Sequence, residues 1–161
     1  MNTVDKIFDV GDYGVIGDGD VIKIKHRTYD SEFDFNPLYS ADSVLCVQHH
    51  TLFTNQIEKI NENNARVLVA CYDMIKNSKI TWNLKTVHVI INMVNDSDEM
   101  IRDTVTKNSQ KSVGVMRSEL KDKYKNDFSE NIFNDVLWVV MHEALHGVMK
   151  SIINENKVLY C

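Results

Sequence analysis

The run His142-Glu143-Ala144-Leu145-His146 puts two imidazoles and a carboxylate where they can act on one reacting centre. On a helix, histidines four residues apart lie about 40° apart around the axis and one turn apart along it, so both rings can reach a single ion. They form half of a tetrahedral zinc site. Glu143 sits about 100° further round than His142, which suits it to address a metal-bound water rather than the ion itself. Zinc lowers the pKa of such a water toward about 7, and a carboxylate that takes its proton leaves a hydroxide nucleophile at neutral pH. The same acid can later protonate a leaving amine.

The surrounding residues sharpen the expectation. Val136, Leu137, Val139, Val140, Ala144, Leu145, Val148 and Met149 leave almost no polar sector in the middle of this helix, the pattern of a buried central helix. Two histidines and a glutamate are costly there unless something pairs with them, and a metal would satisfy both rings. The bland alternative is a pair of core histidines bonded to backbone beside a partly exposed glutamate. With six histidines in the chain, the pattern arises by chance in roughly one such sequence in a hundred. A di-iron carboxylate site would need a second Glu-x-x-His, and the sequence holds none.

Through these five residues the chain resembles the zincin superfamily of zinc metallopeptidases. The resemblance implies that His142 and His146 bind Zn2+, that Glu143 is the catalytic base, and that the substrate is a peptide or protein. It also implies a backing helix, a strand near residues 81–94, and an edge strand near Ser112 that holds an extended peptide by strand pairing. Zincins need a third protein ligand. The extended motif of one subgroup would place a glycine and a further ligand where this chain has Met149 and Ile152, so that subgroup is excluded. Glu155 falls about 180° from His146 on a continuous helix. Cys161 reaches the site if the chain reverses around residues 154–157. Upstream donors are His88, His49 and His50. Asp135 shares the face of His142 but lies two turns away, where it suits the helix dipole better.

The elements that must position these residues follow from pattern. Four of the six glycines fall between positions 11 and 19, flanked by Ile7-Phe8-Asp9-Val10 and Val21-Ile22-Lys23-Ile24, which predicts strands joined by tight turns. Gly17-Asp18-Gly19-Asp20 is expected to be a plain turn, because the later ligands of a calcium loop are missing. Residues 27–43 lack a clear period and hold the only proline, so a long loop is expected. Thr54 is expected to cap a helix ending near Asn77, with Ile57, Ile60, Val67, Leu68, Cys71, Met74 and Ile75 on one face. Residues 81–94 alternate in β-branched residues and predict the best strand, followed by a short helix over 97–107. Residues 112–120 fit strand or helix. The final helix is expected to start at a Ser129 cap and run to about Ile153.

At 161 residues, with 43% hydrophobic and 25% charged content, the chain fits one globular domain over 1–161. The predicted fold class is α+β: an N-terminal hairpin region, a small mixed sheet with a backing helix, and a buried C-terminal active-site helix in zincin-like fashion. The net charge of −5 disfavours nucleic acid as partner. Three widely spaced cysteines argue against a disulfide framework. The N-terminus lacks a secretory pattern, and the longest uninterrupted apolar run is six residues, 136–141, where a bilayer span takes about 20. A cytoplasmic protein that spans no membrane is expected. The leading function is hydrolysis of peptide bonds by a zinc-activated water; the rivals are a non-catalytic zincin-like metal-binding or interaction module, and a metal-free binding protein.

Overall fold

The structure, a computed structural model, describes residues 7–28, 37–106, 111–128 and 130–159. It is α+β, with five antiparallel strands followed by four helices. The strands are β1 (Tyr13–Val15), β2 (Val21–Thr28), β3 (Leu38–Ser43), β4 (His49–Phe53) and β5 (Glu58–Ile60). The helices are α1 (Glu62–Ile75), α2 (Leu84–Thr106), α3 (Val113–Tyr124) and α4 (Glu130–Leu159). The chain divides into two compact units, Met1–Tyr72 with Trp82–Val87, and Asp73–Thr81 with His88–Cys161.

The first unit is built on a sheet of order β4-β3-β2-β1-β5. Every neighbouring pair is antiparallel, which corrects the expected mixed sheet. From β1 to β4 the physical reason is chain length: successive strands are joined by five to nine residues, fewer than the dozen or more that a parallel crossover requires. Gly17-Asp18-Gly19-Asp20 is the tight turn between β1 and β2, closed by Gly19 N donating to Ile16 O at 2.9 Å and Ile16 N to Asp20 O at 3.1 Å. Gly19 adopts φ +90°, the left-handed region open to glycine.

Residues 27–43 are not one long loop. β2 runs to Thr28 and β3 begins at Leu38, with Leu38 paired to Thr28 and Ser43 to Ile22; residues 29–36 lie outside the described set. Tyr39 and Ala41 face the core while Ser40 and Asp42 point away, an alternation that Pro37 and the polar neighbours hid. Phe8, Ile22, Ile24, Tyr39, Ala41, Leu52 and Ile57 form this core. The predicted strand at Ile7-Phe8-Asp9-Val10 is instead an anchor and turn: Phe8 is buried against the Tyr39 ring at 5.5 Å, and its N–H donates to Tyr39 Oη at 3.0 Å.

α1 begins later than expected. Asn61, not Thr54, caps it, accepting from Asn64 N at 2.7 Å through Oδ1. Residues 54–60 divide into a single 3-10 turn and β5, which pairs its backbone with β1. Ile57 and Ile60, three apart, fit helix or strand, and the exposed edge of β1 decides for strand by taking up backbone groups. Val67, Leu68, Cys71 and Ile75 are fully buried on one helical face, as expected.

The predicted strand over 81–94 and short helix over 97–107 are one 23-residue helix, α2. Asn83 caps it, with Oδ1 accepting from Thr86 N at 3.0 Å. The buried positions Val87, Ile90, Met93, Val94, Ser97 and Ile101 step by three and four, so the helical period overrides β-branched propensity. The possible edge strand near Ser112 is also a helix. Ser112 caps α3 by accepting from Val115 N at 3.2 Å, and Met116, Leu120 and Tyr124 are buried at four-residue steps. Asp96 of α2 ties to α3, accepting from Tyr124 Oη at 2.6 Å and Lys123 Nζ at 2.8 Å. Burial first and this hydrogen bond second push the Tyr124 hydroxyl up to about 12.

The β1–β2 turn yields a direct test. A Cβ on Gly19 would meet the Asn83 backbone at 2.7 Å, whereas one on Gly17 meets nothing within 4 Å. Gly19→Ala is expected to lose at least ~2 kcal/mol in urea unfolding, from the left-handed φ and backbone overlap together. Gly17→Ala is expected to stay within ~0.5 kcal/mol of the parent; equal losses in the two variants would refute this description of the turn.

Candidate functional site

Burial sets the rotation of α4. Phe133, Val136, Leu137, Val140, Ala144 and Val148 are buried, and at about 100° per residue His142 and His146 then fall off that face. Both histidines are exposed and Glu143 is half-buried. The helix is unbroken from Glu130 to Leu159, so the one-turn spacing of the two imidazoles is kept. Ser129, the expected cap, lies outside the described residues.

The exposure corrects the expectation of a helix buried all round. Trp138 is 63% exposed, Leu145 47%, Met149 44% and Ile153 50%, so apolar residues occupy a solvent-facing side as well as the core side. Pattern alone cannot separate these cases, because both sides are apolar in sequence. The histidines therefore reach water, and no metal is required to offset their burial. By length and composition Asn131–Glu155 would also suffice to cross a membrane, with 33% of its most apolar window buried in the fold. No long uninterrupted apolar run marks this segment in the sequence, because its polar residues are spread along it.

Around the motif the geometry is specific. The Trp138 indole stacks flat on the His142 imidazole, with centroids 5.2 Å apart and 2° between planes, and restricts that ring. Oε2 of Glu143 is buried and has no hydrogen-bond partner among the described residues. A pocket of about 300 Å3 opens beside His142, walled by Ile101, Val105, Val113, Met116, Trp138 and Leu145. Imidazole is a zinc donor by type. In number the set stops at two: among the described residues no group of three His, Cys, Asp or Glu side chains could hold a metal ion.

No protein-family model, curated protein or solved structure matches this chain.

The expected third donors are dispersed. Glu155 is exposed on α4, and the helix continues past it, so it faces away from His146. The reversal around residues 154–157 that would return Cys161 is not present, since α4 runs to Leu159; Cys161 itself lies outside the described residues. His88 is half-buried on α2 rather than on a strand. His49 and His50 stand on β4, where His49 Nδ1 lies 2.8 Å from Asp42 Oδ1 and His50 Nε2 2.9 Å from Asp20 Oδ2. Asp20 and Asp42 were missed from sequence because the strand alternation that brings them to these rings sits in a turn and in a segment that looked like loop.

The other two thiols, Cys46 and Cys71, belong to the first unit. Cys71 is completely buried, and burial pushes its thiol up to about 12. Cys46 is exposed beside Ser43 Oγ at 3.5 Å. With iodoacetamide at pH 8, Cys46 is expected to alkylate readily while Cys71 reacts at least ~100-fold more slowly until the protein is unfolded. Peptide mapping that finds equal rates at the two positions would contradict this burial.

Proposed function

We propose that this chain binds zinc through His142 and His146 and serves as a metal-binding interaction module toward a peptide or protein partner. The observation that carries this reading is the solvent-facing pair, one turn apart on an unbroken helix and flanked by exposed Trp138, Leu145 and Met149. Exposed imidazoles suit a borderline ion such as zinc, and a surface rich in Trp and Met suits a protein partner. The remaining coordination positions fall to water or to a side chain of the partner.

A second reading has its own observation. Oε2 of Glu143 is buried without a hydrogen-bond partner among the described residues, which leaves its lone pairs free to take a proton. On that ground the chain is a zinc-dependent hydrolase, in its simplest form a small metallopeptidase of zincin-like type. Glu143 then accepts the proton of the attacking water and returns it to the leaving amine, while His142 and His146 hold the ion. Bound zinc would supply Lewis acidity and an activated water. Helix α2 stands where this reading expected a sheet strand and α3 where it expected the edge strand that holds the peptide, so this reading ranks second.

Elemental analysis of protein purified without added metal tests both. Close to one zinc per chain is expected, with most of it lost in His142→Ala and in His146→Ala. Equal zinc in all three proteins would overturn both readings. Peptide hydrolysis that disappears in Glu143→Gln with zinc retained would establish the second reading, and zinc without hydrolysis the first.

A further inference from the structure

On the solvent side of the sheet in the first unit, three side chains form an ordered relay far in sequence from α4. Ser40 and Asp42 lie two apart on β3 and so share a face, while Tyr39 and Ala41 on the other face are completely buried. His49 stands directly opposite Asp42 in the β3–β4 register. Its ring spans both residues: Nδ1 is 2.8 Å from Asp42 Oδ1, and Nε2 is 3.0 Å from Ser40 Oγ.

The tautomer follows from the partners. An ionised carboxylate only accepts, so the proton of a neutral His49 sits on Nδ1 and donates to Asp42. Nε2 then carries the lone pair, and the Ser40 hydroxyl donates to it. Nucleophile, base and orienting carboxylate thus occur in the order that activates a serine, each within hydrogen-bond reach of the next. All three stand on paired strands rather than loops, and Asp42 is fixed opposite His49 by backbone register.

The β-bulge in β2 adds a further element. The register shifts between Ile24 and His26, so that His26 is the residue opposite Ser40. Lys25 and His26 are both exposed there. Directly opposed side chains have Cβ atoms about 5 Å apart, within reach for an N–H of His26 to meet an oxyanion forming next to Ser40.

We propose that Ser40 is an activated nucleophile, with His49 as its general base and Asp42 as a positioning residue, and that it is acylated by small carboxylic esters. The face is open, with the His49 side chain 59% exposed and that of Asp42 50%, so the relay suits compact esters whose recognition needs no deep acyl pocket. In the first step Ser40 Oγ bonds to the ester carbonyl carbon and its proton passes to His49 Nε2. The carbon–oxygen bond to the alcohol breaks, and the departing oxygen takes that proton. Water then repeats the sequence on acyl-Ser40, releasing the acid and restoring the serine.

The probe is a small alkyl fluorophosphonate, which reacts with activated serines by forming an O–P bond and releasing fluoride. The full chain is treated in the presence of a metal chelator, and adducts are located by peptide mass spectrometry. A single adduct on Ser40 is expected, absent in Ser40→Ala, about 100-fold slower in His49→Ala and at least about 10-fold slower in Asp42→Asn. Thr51→Ala, opposite Ser40 on β4, and Glu143→Gln are expected to label as the parent does, which separates this site from the motif on α4. Absence of a Ser40 adduct in the parent, or one that forms equally fast in His49→Ala, would show that the relay is only a cross-strand hydrogen-bond chain and would overturn the proposal.

Discussion

The rotation of α4 about its own axis is the constraint on which the functional reading depends. A helix advances about 100° per residue, so burying Val136, Leu137, Val140, Ala144 and Val148 leaves no freedom in where the remaining positions point. His142 and His146 are sent to solvent by the same burial that stabilises the helix. Each fully buried aliphatic side chain contributes about 1.5–3 kcal/mol, far more than any preference of an imidazole for one side. The motif is displayed because the core is satisfied first.

That display changes the chemistry open to the motif. A buried catalytic zinc site relies on water exclusion and on a third ligand from a neighbouring element. Here the exposed rings sit on a helix in a unit whose described elements are helical, with Trp138 laid against one ring and apolar residues beyond it. Such a surface is better matched to a partner than to an enclosed reaction. The buried carboxylate oxygen of Glu143 is the single feature of the motif that a display role leaves unexplained.

What the sequence made legible depended on whether local signals had a competitor. The turn at Gly17-Asp18-Gly19-Asp20 and the buried face of α1 had none, and the α+β class and the helix carrying the motif followed in the same way. The strand expected at 81–94 failed because β-branched residues at Val87, Val89 and Ile91 mimic alternation, while the longer series from Val87 to Ile101 carries the helical period. β3 was lost among polar residues, and with it the aspartate that holds His49. For α4 the start and residue spacing were readable, although the helix runs past the expected end near Ile153 to Leu159, but a helix apolar on two sides does not disclose which side meets the core. Tertiary packing alone decides that, and it decided the exposure of both histidines.

The account turns on which imidazoles meet the metal, and nitrogen-15 NMR of the histidine rings during titration with zinc reports this most directly. All six histidines are observable in one spectrum, so each possible donor serves as a control for the others. The ring resonances of His142 and His146 should shift together and saturate near one equivalent of zinc, while those of His26, His49, His50 and His88 stay in place. Saturable shifts at the other histidines with His142 and His146 unmoved would contradict a zinc site on α4.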